Sequence, residues 1–375
     1  MKKLLCILSG MNAGGAETFL MKIYRQLDKM KYQMDFCINA PGKCFYEDEI
    51  LSLCGKIYRI SSKSASLKDF KKQLYNVVRL NDYKSVLRIS SNAAGFLDLK
   101  IAHKAGAEIC AVRSSNSSDG GSFKSKIAHR LGRALYGKYV NVKLAPSDLA
   151  AVYTFGKKAY ESGAVNILHN AIDIDQYGFN ADMRCRIRSE FGLSDDTTIL
   201  GHVGRFMTQK NHAFLLEVFS EYLKINGKSI LMLVGGGELE SAIKQKASEL
   251  GISDKIIFTG VRSDVPALLS AMDVFVFPSL YEGMPNTVIE AQATGLPCLI
   301  SDTITREADI TGLVHYLPLG DASTWAHLVA ELPQVKRETP MQKFKENGYD
   351  IETAAEQFVK LIFREEETGY DQIVA

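Results

Sequence analysis

Two glutamates, Glu282 and Glu290, stand eight residues apart in the stretch YEGMPNTVIEAQATG. An ionised carboxylate can only accept hydrogen bonds. No lysine or arginine lies between Pro278 and Ser301 to pair with either acid. The pair therefore suits a ligand rich in hydroxyl donors, such as a sugar and a ribose. Pro285 fits the first turn of a helix, which starts that helix near Asn286. Glu282 then lies in the preceding loop and Glu290 about one turn inside. If both were helical, eight residues would rotate them ~80° apart, whereas a loop followed by a helix can aim both at one place. The backbone N–H groups near Met284, Asn286 and Thr287 would face the same place, because the first turn of a helix has no carbonyls to satisfy them.

Cations and glycines occur at comparable positions. Arg205 and Lys210, in GRFMTQKNH, could straddle a diphosphate, the arginine as a planar fork and the lysine as a point charge; solvated loop cations are the alternative. Gly235 to Gly237, in VGGGELE, admit either a tight turn or close backbone approach by a flat ligand. Gly14 and Gly15, in GMNAGGAE, would let backbone approach an anion at a helix N-terminus or simply make a turn. The spacing is not GxGxxG, so a dinucleotide fingerprint is absent.

These residues all follow apolar runs that read as strands. In the first half the runs are LLCILS, QMDFCIN, SVLRIS, EICAVRSS and VKLAPS; in the second they are TILGHVGR, SILMLVG, KIIFTG, VFVFPS and PCLIS. Amphipathic helical stretches separate them, the signature of parallel α/β domains. Doubly wound sheets bind ligands beyond the carboxyl ends of their strands, so two such domains would face a central cleft with these loops around it. The expected division is 1–170 and 171–350, with a C-terminal helix near 352–368 packing back on the first domain.

Length and composition agree with two folded domains. The chain has 375 residues, 46% hydrophobic and 23% charged. No apolar run approaches the ~20 residues of a membrane span, and the start MKKLLCILSG reads as a first strand rather than a secretory signal. Seven cysteines at irregular spacing, with no CxxC pair, suit a reducing cytoplasm. The net charge of +2 hides an asymmetry: residues 1–170 carry 27 basic and 13 acidic side chains, and the remainder carries 18 and 30. A basic half suits an anionic surface, or is a solvated face. No aromatic-rich or helix-turn-helix signal points to nucleic acid.

The motifs together resemble a known family. EGMPNTVIE is similar to the E-x7-E motif of the retaining glycosyltransferases of family 4, which have the GT-B fold. GGAE, VGRFMTQKNH, LVGGGELE, FTGVRSDVPALLSAMDVFVFPSLYEG and EAQATGLPCLISD follow in the family's order, most like the bacterial capsule and exopolysaccharide enzymes. The resemblance implies a nucleotide-sugar donor, UDP-linked by family habit, and a glycan or polyprenyl-diphosphate-linked acceptor. It implies no cofactor and no metal. It gives Arg205 and Lys210 the donor diphosphate, Glu282 the hydroxyls of the transferred sugar and Glu290 the ribose. Gly14 and Gly15, with Gly235 and Gly236, would approach the donor, and backbone at Val261 and Arg262 would contact the base. The family often has His after a middle strand of the first domain; aligning AEICAVRSSNSS there places Arg113, followed by Ser115 and Asn116. Arginine cannot act as a base at neutral pH, but retaining transfer with the leaving phosphate as proton acceptor needs none, and Arg113 is expected in the catalytic site binding the donor phosphate or an anionic acceptor. The tripeptide DID at 173–175 looks like a DxD metal motif but belongs to the family's connector. The alternatives are an epimerase of similar fold and a catalytically weak glycan- or lipid-binding homologue.

One stretch addresses location. In SFKSKIAHRLGRALYGKYVNVK, Lys126, Arg130 and Arg133 share one helix face, and Ile127, Leu131 and Leu135 lie on a neighbouring one. A basic stripe beside an apolar one suits a helix lying on an anionic membrane, and equally a core-facing helix with a solvated basic side. The first reading makes the protein cytoplasmic and peripheral on the inner face of the plasma membrane.

Overall fold

The computed structural model describes residues 1–12, 14–115, 123–332 and 337–365. The chain forms two compact units. Unit 1 comprises Met1–Ala171 and the chain from Gly348 on; unit 2 is Ile172–Asn347. Residues 348–350 thus belong with unit 1.

Unit 1 holds a sheet of seven strands: β1 (Lys2–Ile7), β2 (Tyr32–Ile38), β3 (Ile57–Arg59), β4 (Ser85–Ser90), β5 (Ile109–Ser114), β6 (Val142–Ala145) and β7 (Asn166–Ile167). Their order is β3-β2-β1-β4-β5-β6-β7, and every pair is parallel. The order reverses between β1 and β4. Alternate side chains of β1 enter different cores, as a period of two requires. Leu4 and Cys6 join the cluster that includes Phe19 and Phe358; Leu5 and Ile7 join the one that includes Phe70 and Phe96. This two-sided burial is why β1 reads as a continuous apolar run.

Unit 2 repeats the plan with six strands: β8 (Thr198–Val203), β9 (Ser229–Val234), β10 (Ile256–Gly260), β11 (Val274–Phe277), β12 (Cys298–Ser301) and β13 (Val314–Leu317). The order is β10-β9-β8-β11-β12-β13, again all parallel. The fold class is α/β, two doubly wound units as the sequence implies.

The helix Ile351–Phe363 completes unit 1. Asp350 caps it by accepting from Thr353 N–H at 3.0 Å. Ile351, Ala354, Ala355, Phe358 and Ile362 form one buried face, spaced as an amphipathic helix demands. Ser85 Oγ donates to the Ile362 carbonyl at 2.9 Å, and the Tyr32 and Phe363 rings lie 4.8 Å apart. All seven cysteines are free; Cys54 and Cys185 are exposed and the other five buried.

Phe358 is fully buried. Truncating it to alanine is expected to destabilise unit 1 by about 3–5 kcal/mol. Urea unfolding should show a lowered midpoint for unit 1, and an unchanged midpoint would contradict the packing described.

Candidate functional site

The candidate site residues of unit 2 follow β8, β9, β10 and β11. Past β8, the turn Thr208–Lys210 leads through Asn211, in the left-handed region at φ 53°, into the helix His212–Ile225. Past β11, residues 278–285 lead into the helix Asn286–Ala293. The two loops are joined by main chain and side chain: Leu280 N–H donates to the Gln209 carbonyl at 2.8 Å, and Gln209 Nε2 donates to the Tyr281 carbonyl at 2.7 Å.

These bonds bring Lys210 to Glu282. Lys210 Nζ donates to Glu282 Oε1 at 2.8 Å, with the side chains only 16% and 10% exposed. The same ammonium lies 4.5 Å from the Phe277 ring centroid. The partner missing from the acid's own sequence neighbourhood is thus supplied from 72 residues away. A pair this enclosed is costly to break from one side, because the remaining charge is left desolvated. Arg205 differs. It is 71% exposed, and its contact with Glu238, at 3.8 Å, is also exposed. Such a surface pair is worth at most ~1 kcal/mol, so the guanidinium can turn to an anion.

The helix at Asn286 starts where Pro285 indicates. Pro285 occupies the N-cap position and supplies no side-chain cap. Its carbonyl accepts from Val288 N–H at 3.0 Å. Glu290 lies one turn into this helix and is half-buried, and Met284 packs against the core cluster beneath. The hydroxyls of Ser279 and Thr287 are buried without a hydrogen-bond partner among the described residues.

The glycines after β9 divide by role. A side chain at Gly235, at φ 137°, would strike the Gly204 carbonyl, and one at Gly237 would strike the Phe206 backbone. Phe206 N–H also donates to the Gly236 carbonyl at 3.0 Å, and Leu239 N–H to the Phe206 carbonyl at 3.1 Å. The close backbone approach that these glycines allow is made by the Arg205 loop itself. Gly236 meets only ordinary contacts, beside Val261. Val261 is exposed. The Arg262 guanidinium is engaged by Asp264 and Glu190, each at 2.8 Å, which raises its pKa and leaves its backbone as the part available to a ligand.

In unit 1, Gly14 caps the helix Gly15–Gln26 at φ −111°. A side chain there would collide with the Glu17 carboxylate, so the helix start is already faced by an acid of its own first turn. Arg113 is buried on β5. It donates to Asn170 Oδ1 at 2.7 Å and to the Leu168 carbonyl at 3.2 Å, and stacks 3.6 Å over the Phe19 ring. Burial pushes its pKa down to about 9, still charged at neutral pH. Asn116 lies outside the described residues. Asp173 of DID accepts from Gln176 N–H at 3.1 Å, capping the short helix Ile174–Tyr177.

Sequence reasoning missed two buried histidines whose ionisation Lys210 opposes. His202 and His212 are buried, with ring centroids 4.7 Å apart. His202 Nδ1–H donates to the Val276 carbonyl at 2.9 Å, while its Nε2 and both nitrogens of His212 have no hydrogen-bond partner among the described residues. No spacing rule links residues 202 and 212, because the strand and helix that carry them meet only in the fold. Burial, and then Lys210, pull the His212 pKa down to about 4.

The sequence model of the family described as Glycosyl transferases group 1 matches residues 197–334. The chain is 35% identical over 361 residues to the "Putative glycosyltransferase EpsF" of Bacillus subtilis, covering 94% of each. It is 33% identical over 144 residues to the UDP-Gal:alpha-D-GlcNAc-diphosphoundecaprenol alpha-1,3-galactosyltransferase of Escherichia coli, covering 37% of this chain and 36% of that one. The crystal structure of a glycosyltransferase from Rickettsia africae superposes with a TM-score of 0.78 at 14% identity, covering 97% and 99% of the two chains.

A buried neutral histidine binds its proton in the unfolded chain first. Between about pH 6.5 and 4 the unfolded state holds more protons, so stability is full above 6.5 and falls with pH through that window. His212 alone accounts for about 3 kcal/mol of that fall, at ~1.4 kcal/mol per pH unit. His212→Phe should make the decline of unfolding free energy from pH 7 to 4 shallower, the remaining slope coming partly from His202; an unchanged slope would show that His212 is not buried neutral. With fold, site geometry and full-length similarity together, the chain belongs to the group 1 glycosyltransferases and has the GT-B fold.

Proposed function

We propose that the protein is a retaining, metal-independent glycosyltransferase of family 4 that moves a sugar from a UDP-linked donor to a glycan or polyprenyl-diphosphate-linked acceptor in cell-surface polysaccharide synthesis. The observation that carries this reading is the enclosed Lys210–Glu282 pair beside the exposed Arg205. The name of the Escherichia coli relative, with its UDP-linked donor and diphosphoundecaprenol-linked acceptor, supports the donor and acceptor classes.

Arg205 and Lys210 receive the diphosphate. As the bond from the sugar's anomeric carbon to the phosphate oxygen breaks, negative charge grows on the leaving group, where fixed cations lower the barrier. The acceptor hydroxyl forms the new bond on the same face, and its proton passes to the departing phosphate. Glu282, held by Lys210, accepts hydrogen bonds from hydroxyls of the transferred sugar. Glu290 accepts from the ribose, and the backbone at Val261, Arg262 and Gly236 borders the base. Asn286, Thr287 and Met284 present the helix start to the donor.

The same reading has the enzyme work at a membrane. Phe123, Ile127, Leu131 and Leu135 of the helix Phe123–Tyr136 are 44–77% exposed, and Lys126, Arg130 and Arg133 beside them are exposed as well. The core-facing side of this helix is instead His129 and Gly132, the latter against the Ala93 backbone. Exposed apolar and basic stripes together complement an anionic lipid surface.

Glu282→Gln and Lys210→Ala should each lower turnover by about 100-fold or more with the fold retained, and activity should survive excess chelator. Near-normal turnover in both variants would refute the site, and loss on chelation restored by Mg²⁺ would refute metal independence. In a separate experiment, the protein should co-sediment with vesicles containing anionic lipid at low salt and be released at high salt. Replacing Lys126, Arg130 and Arg133 with Gln should weaken that binding without changing donor hydrolysis. Indifference of the wild type to such vesicles at low salt would remove the membrane role.

A further inference from the structure

Unit 1 has a recess of about 340 Å³ that none of the motifs above accounts for. It opens at the carboxyl ends of β1 and β2, beside β4, where the strand order reverses. Open α/β sheets bind ligands at such switch points, and the volume falls within the ~300–1,000 Å³ of small-molecule sites.

Its charged lining is unbalanced. Asp98, in the first turn of the helix Phe96–Ala105, is fully buried. Lys63 Nζ lies 2.5 Å from one of its oxygens and Arg88 Nε 3.1 Å from the other. Two cations on one carboxylate leave a net charge of one, and the helix start adds positive potential. Both contacts are close ion pairs without aligned hydrogen bonds: Arg88 Nε and the two Asp98 oxygens are buried and have no hydrogen-bond partner among the described residues. Burial lowers the Lys63 pKa against the pull of Asp98. The surplus charge is reachable from the recess, the Lys63 and Arg88 side chains being 32% and 19% exposed, so an anion could take up the charge that Asp98 leaves over. Ser62 and Ser64, with hydroxyls 3.0 Å apart, add polar groups to the same wall.

We propose that this recess binds a singly charged anionic group of the acceptor, the carboxylate of an acidic sugar or a phosphodiester, with Lys63 and Arg88 as its cations and Asp98 as the spacer that holds them. A single negative charge completes the balance. The inference rests on the glycosyltransferase reading only in naming the acceptor as the source of that group.

The test is calorimetric titration of the full chain with three probes at matched ionic strength: D-glucuronate, dimethyl phosphate and D-glucose. Binding of glucuronate alone identifies a sugar carboxylate, and binding of dimethyl phosphate alone or of both identifies a phosphodiester or a general monoanion site. Glucose should not bind comparably. Lys63→Met leaves Arg88 and Asp98 neutralising each other and should weaken the anion at least about tenfold, the usual loss for one charged contact. Asp98→Asn raises the net charge to two and should tighten it, the opposite of what loss of a structural ion pair would give; if that variant fails to fold, Lys63→Met still decides. Failure of both anions to bind, glucose binding equally well, or wild-type affinity in Lys63→Met would overturn the proposal. UDP binding measured on the same protein is the control: its failure strikes the donor reading and leaves this one standing.

Discussion

Parallel strand pairing constrains everything else in this molecule. Because neighbouring strands in each sheet run the same way, each return must cross a face of the sheet, usually as a helix. The consequence is geometric. All strands of a sheet deliver their carboxyl ends to one edge, and the loops there can differ in chemistry without disturbing the ladder. In unit 2 that edge collects Arg205, Lys210, the glycines after β9, Val261 and Glu282. In unit 1 it collects Gly14, Arg113 and the Lys63–Asp98–Arg88 cluster. Residues separated by 70 or more positions become neighbours with no local rule joining them.

Within unit 2 the edge is knitted into one body. The glycines after β9 let the Arg205 loop lie directly on backbone, and the Gln209 bonds fix that loop to the one that carries Glu282. Lys210 is held by a carboxylate and lies over an aromatic ring, with two buried neutral histidines near enough to feel its charge. Neutrality matters there, since a charged imidazole next to an enclosed ammonium would push it off Glu282. Arg205 is left at the rim, without comparable restraint. One cation is therefore positioned before any ligand arrives, and the other can adapt.

Much of this was legible in the sequence, for identifiable reasons. Strands buried on both faces are mostly apolar, so β1, β2, β4, β5, β6 and the strands of unit 2 from β8 to β12 read as runs despite Asp35, Arg88, Arg113 and His202 within them. β3, β7 and β13 do not: Ile57–Arg59 and Asn166–Ile167 are short and partly exposed, and Val314–Leu317 contains a histidine and an edge position. The start of the helix at Asn286 was readable because proline restricts where a helix can begin. The partner of Glu282 was not, because an ion pair across 72 residues leaves no trace in either neighbourhood. The glycine triplet read as a tight turn or as close approach by a flat ligand, whereas at Gly235 and Gly237 the backbone that approaches is the chain's own Arg205 loop. The basic and apolar stripes of residues 123–136 were visible as periodicities, yet which stripe faces water depends on where the rest of unit 1 places the helix.

The C-terminal helix makes the first unit discontinuous, which bears on how the protein is made. Residues 1–171 leave the ribosome about 180 residues before Ile351 does. At ~5–20 residues per second, that is an interval of roughly 10–40 s. During it the core surface that Phe358 and Ile362 will cover stands bare, while unit 2, whose chain is continuous, can close as soon as it emerges. Birth order and completion order are therefore reversed: the half synthesised first is the half that finishes last.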